Sequence, residues 1–73
     1  MPFMRFGDAL QAMWNGERVA RMGWNRPGEF IAIWMPDEDS DMSRPFIYID
    51  ALTGTTPWIP SQEDLLAEDW MLV

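Results

Sequence analysis

Two stretches of this chain combine side chains that bind small polar molecules. The first is Arg21-Met22-Gly23-Trp24-Asn25-Arg26, a Trp and an Asn set in a turn between two Arg. The second is Pro57-Trp58-Ile59-Pro60-Ser61-Gln62-Glu63-Asp64, a Trp between prolines that leads into a helix start. Together they supply aromatic planes, guanidinium, amide and hydroxyl groups, and the free backbone N–H groups of a first helical turn. Those groups suit an anionic molecule that carries a planar base.

Reaction chemistry has little to work with. The chain contains no His and no Cys. The usual general base near neutral pH is therefore missing, as are thiolate metal sites and disulfides. Ser40, Ser43 and Ser61 have no His to activate them. Glu63 and Asp64 read as helix-start and helix-surface residues, and a small hydrolase built on either lacks a visible partner. Asp37, Asp39 and Asp41 alternate like the first ligands of a calcium loop. Met42, however, stands where such a loop needs Gly, and Tyr48 where it needs a bidentate Glu. The run reads as a solvated acidic loop. No catalytic residue, metal or cofactor is implied.

The elements that must position the two stretches follow from the apolar spacing. Phe6, Ala9, Leu10, Met13 and Trp14 fall on one helical face, and Asn15-Gly16 supplies a stop, so a helix is expected over 7–15. A short strand follows over 17–22, with Val19 and Arg21 on one face and Ala20 and Met22 on the other. Residues 23–28 form a turn. The strand over 29–35 sets Phe30, Ala32 and Trp34 against Ile31 and Ile33, and the strand over 46–50 sets Phe46 and Tyr48 against Ile47 and Ile49. Thr53-Gly54 marks a hairpin whose returning strand, over 55–59, is interrupted by Pro57. Ser61 and Asp64 can cap a second helix reciprocally, with Leu65 and Leu66 as its apolar contacts, and 69–73 is a final strand. The expected fold is α+β: a small antiparallel sheet with an N-terminal helix and a short C-terminal helix, in one domain over 1–73.

Both central strands are apolar on both faces. The aliphatic face is expected to meet the helix, and the aromatic face a second subunit or a ligand. Apolar residues make up 48% of 73 residues, including five Trp, four Phe and seven Met. That excess, in a chain too short for a large core, favours a homo-oligomer. The net charge of −7 opposes binding to nucleic acid and to anionic membranes. No apolar run reaches the ~20 residues of a membrane helix, and the N-terminus lacks the pattern of a signal peptide. A cytoplasmic protein is the simplest expectation.

The ordered motifs Phe6-Gly7-Asp8-Ala9-Leu10, Gly16-Glu17-Arg18-Val19-Ala20-Arg21, Gly23-Trp24-Asn25, Asp41-Met42 and Pro45-Phe46-Ile47 continue into a long closing segment. That segment is Pro57-Trp58-Ile59-Pro60-Ser61-Gln62-Glu63-Asp64-Leu65-Leu66-Ala67-Glu68-Asp69-Trp70. The set resembles the small phage-encoded Thoeris anti-defence sponge family of the second class. The resemblance implies a protein without enzymatic activity. Such a protein holds intact the cyclic ADP-ribose signal made by bacterial TIR-domain proteins. It also implies a homotetramer with ligand pockets between subunits, and in some members separate sites for cyclic dinucleotides. The resemblance places its ligand-binding residues at Trp24 and Asn25 in the first stretch and at Trp58, Pro60, Ser61, Gln62 and Asp64 in the second, with Arg21 ranked below them. The chain departs in its lean Thr53-Gly54 hairpin and in its acidic run at 37–41, which opposes an anionic ligand if it lies near the pocket. The alternative reading is a protein–protein interaction module that uses its aromatic surface.

Overall fold

The computed structural model describes residues 3–24, 28–36 and 44–73. Asn25, Arg26 and the acidic run at 37–41 lie outside the described residues. The element order is α1 (Phe6–Trp14), β1 (Val19–Arg21), β2 (Phe30–Trp34), β3 (Phe46–Ala51), β4 (Gly54–Pro57), α2 (Gln62–Leu66) and β5 (Trp70–Leu72). The five strands form one antiparallel sheet in the order β4-β3-β2-β1-β5. The α+β architecture, with an N-terminal helix and a short helix before the last strand, is the one expected from the apolar spacing.

Register decides which side chains meet. Val19 pairs with Ile31, and Ile31 with Ile49, so the aliphatic residues stack across the sheet on one face. Arg21 pairs with Trp70, which places the basic residue beside the last strand. The N-terminal segment continues the pairing: Met4 and Trp70 exchange backbone bonds of 2.7 and 3.1 Å. Gly16, at φ 90, ends α1, and Gly54, at φ 126, turns the β3–β4 hairpin; both conformations suit glycine.

Helix α1 has no side-chain cap, so its stability comes from packing. It seats Ala9 and Met13 against Val19, Ile31 and Trp70, and these five form one buried cluster; Ala20 and Ala32 are buried as well. Ile33, Ile47 and Ile49 pack around that core, as expected for the aliphatic face. The opposite face carries Phe30, Trp34, Phe46 and Tyr48, all half-buried. Trp34 and Phe46 form a tilted pair at 5.3 Å.

Three expectations need correction. Trp14, placed by its spacing on the apolar face of the helix, is 50% exposed, because the buried stripe of α1 passes through Ala9 and Met13. Leu65 and Leu66, expected to anchor α2, are both exposed. Helix α2 has no buried residue and is held by polar bonds at its first turn. Strands β1, β2, β4 and β5 are also shorter than expected, with β1 spanning only three residues, whereas β3 runs one residue further, to Ala51. Among the described residues, no helix is long and apolar enough to cross a membrane.

Candidate functional site: an aromatic and carboxylate centre around Trp70

Trp70 is completely buried and forms the hub of the site. Three rings meet it edge-on: Phe6 at 5.4 Å, Trp24 at 5.4 Å and Trp58 at 5.9 Å. Phe6 also contacts Trp58 at 5.9 Å. Such tilted and edge-to-face pairs are the favoured aromatic arrangement. Trp24 and Trp58 are only half-buried, so part of each ring remains at the surface. The indole N–H of Trp70 donates to the Asp64 carbonyl at 3.1 Å, which satisfies its one polar atom.

Asp64 ties the second stretch to the first. The predicted capping box is present: Asp64 N donates to Ser61 Oγ at 3.1 Å, and Asp64 Oδ2 accepts from Ser61 N at 3.2 Å. Asp64 Oδ1 accepts from Arg21 Nη1 at 2.8 Å and lies 3.4 Å from Trp24 Nε1. Four of the eight candidate residues (Arg21, Trp24, Ser61 and Asp64) therefore form one bonded cluster. Trp58 joins it through Trp70. Pro60 and Gln62 are exposed beside it, and Asn25 lies outside the described residues.

The guanidinium of Arg21 donates to two carboxylates, Asp64 and Asp69, each at 2.8 Å. These bonds raise the Arg21 pKa against the opposing effect of burial. Burial alone would push the Asp64 carboxyl up. The bonds from Arg21, Ser61 and Trp24 outweigh it and hold the group below the usual carboxylate range. Asp69 is held low chiefly by Arg21 and by the Gly23 amide, against burial. One cation and two anions leave the cluster with a net charge of −1. Arg21 is thus engaged within its own chain.

Asp69 was not singled out in the sequence. Its signal would have been a carboxylate next to a buried Trp, opposite Arg21 across a strand pair, and that pairing appears only with the register. Arg18 was missed too. Its guanidinium lies 4.8 Å above the Phe30 ring, a cation–π contact, on the wall of a groove of about 610 Å³. Arg21 and Trp24 line the same groove, together with Ala20, Met71 and Val73. The groove therefore adjoins the bonded cluster.

A short α+β domain with a single sheet, organised around a Trp cage bound to paired carboxylates, is the class of protein that this fold and site define. The chain belongs to the Thoeris anti-defense 2-like family, whose model matches residues 4–73. It is similar to the protein named Thoeris anti-defense 2 of Bacillus phage SP01, at 34% identity over 84 aligned residues. That alignment covers 96% of this chain and 94% of the phage protein.

Proposed function

We propose that this chain is a phage anti-defence sponge that captures a cyclic ADP-ribose-type immune signal and holds it uncleaved. The observation that carries this reading is the family match over 4–73, within which the two binding stretches converge on Trp70. The groove beside Trp24, at about 610 Å³, is in the size range of small-molecule sites. Of the candidate residues, Arg21 and Trp24 line that groove; in this reading the ligand extends from it past Trp24 toward Trp58, with Asn25, Pro60, Ser61, Gln62 and Asp64 around its ribose hydroxyls and base edge. Arg18 supplies the cation toward the phosphates, because Arg21 already serves two carboxylates.

Affinity sets the physical demand. A sponge holds its ligand below signalling concentrations, which requires nanomolar binding, about −12 kcal/mol. Each aromatic stack contributes on the order of 1–3 kcal/mol. Two stacks and a phosphate pair fall short in an open groove. A pocket closed by a second subunit desolvates the ligand further and links capture to assembly. The half-buried face of Phe30, Trp34, Phe46 and Tyr48 is the surface we assign to that assembly, a homotetramer in this reading. Cyclic dinucleotides are the second ligand class. The same face favours the alternative, a protein-binding module, which predicts partner capture with no small-molecule affinity.

The test is release of ligand. Purified protein is incubated with cyclic ADP-ribose isomers and cyclic dinucleotides, freed of unbound compound and denatured. Mass analysis of the released fraction is expected to find one compound intact. Recovery of none contradicts the sponge reading, and recovery of a cleaved product assigns an enzyme.

A further inference from the structure

We propose that Asp69, which is outside the ligand residues assigned above, is a positioning residue that fixes the Trp24 turn against the start of α2. Three consecutive residues before Trp24 bond to it. Arg21 Nε donates to Oδ1 at 2.8 Å, the Met22 amide to the Asp69 carbonyl at 3.0 Å, and the Gly23 amide to Oδ2 at 2.9 Å. The Trp24 amide then returns to the Arg21 carbonyl at 3.1 Å, so the turn closes directly on the residues that Asp69 holds.

The bond to Arg21 reaches further. With Nε fixed by Asp69, Nη1 is aimed at Asp64 Oδ1, the atom that also faces the Trp24 indole N–H. A guanidinium is a rigid planar fork, so constraining one nitrogen orients the others. Asp64 in turn caps α2 with Ser61. Asp69 therefore joins the two halves of the candidate site through Arg21 without being a ligand contact itself. The turn is built for this carboxylate. A Cβ on Gly23 would stand 3.0 Å from Asp69 Oδ2, tighter than ordinary contact, and that oxygen belongs to a carboxylate already held by Arg21.

The consequence for affinity rests on the sponge reading; the order of the turn does not. Four proteins are compared well below their melting temperatures: wild type, Asp69→Asn, Gly23→Ala, and Ile49→Val as a core variant on β3 away from the turn. NMR hydrogen exchange is read at the Gly23 amide and Trp24 indole, and affinity is read with cyclic ADP-ribose as probe. Asp69→Asn and Gly23→Ala are expected to speed exchange at both sites at least about tenfold and to weaken binding about tenfold, with stoichiometry unchanged. Ile49→Val is expected to move neither reading selectively. Wild-type exchange at both sites in Asp69→Asn, or equal losses in Ile49→Val at matched stability, overturns the proposal. Should Asp69→Asn fail to fold, Gly23→Ala decides, because it retains the Asp69–Arg21 bond. Should wild type bind no probe, the exchange measurement decides the role of Asp69 alone.

Discussion

Three charged residues hold the site together, and their titration makes the first prediction. Asp64 and Asp69 both have folded-state pKa values below the ordinary 3.8. A depressed carboxyl contributes stability that is complete above its unfolded value and is lost as pH falls through its folded value. Their joint contribution is thus intact at neutral pH and is lost progressively as pH falls from 3.8 through their lower folded-state values. The raised pKa of Arg21 keeps its charge constant across that window. Urea unfolding at a series of acid pH values is expected to show a falling free energy in wild type and a shallower fall in Asp69→Asn. By contrast, the Arg5–Glu68 pair at 3.2 Å is exposed on both sides and is worth little. At this scale the sequence was half legible. Ser61 and Asp64 announce a capping box by spacing alone, since the motif is local. Asp69 makes its bonds to residues 46 and 48 positions away, and no local pattern encodes such a contact.

Elements were more legible than side-chain destinations. Alternating Ile and aromatic residues located β2 and β3 because a strand sends successive side chains to opposite faces. Helix α1 followed from its apolar stripe, yet that stripe is narrower than the hydrophobic residues suggest. Ala9 and Met13 point into the sheet, and Trp14 turns half outward. Helix α2 was legible as a cap and misread as a packing element, because Leu66 is 78% exposed and Leu65, at 38%, is only partly covered. The contrast between Trp70 and Trp14 gives the element-scale prediction. Trp70 joins β5 to α1 through Phe6 and to the two binding stretches. Trp70→Ala is expected to cost about 3–5 kcal/mol, and Trp14→Ala under about 1 kcal/mol. A domain of this size has only about 4–11 kcal/mol in total, so the first change leaves it near unfolding. Denaturation midpoints check both.

At the scale of the whole molecule, one sheet separates two environments. Its aliphatic face is sealed by α1, with the Trp70 centre at the end nearest β5. Its aromatic face carries the groove of about 610 Å³ and a second of about 350 Å³ lined by Trp34, Phe46 and Tyr48. The sequence foretold that division, because strands apolar on both faces need cover on both. What covers the second face is not encoded in the pattern of one chain. In the sponge reading, a second subunit and the captured signal cover it together.

Isothermal titration calorimetry with the cyclic ADP-ribose isomer retained in the release experiment tests the central claim most directly. Capture predicts heats that saturate at a fixed molar ratio, with a nanomolar dissociation constant, and return to baseline after each injection. Heat that continues after each injection would mean turnover, and an isomer that gives no saturable heat at micromolar protein would mean no sponge.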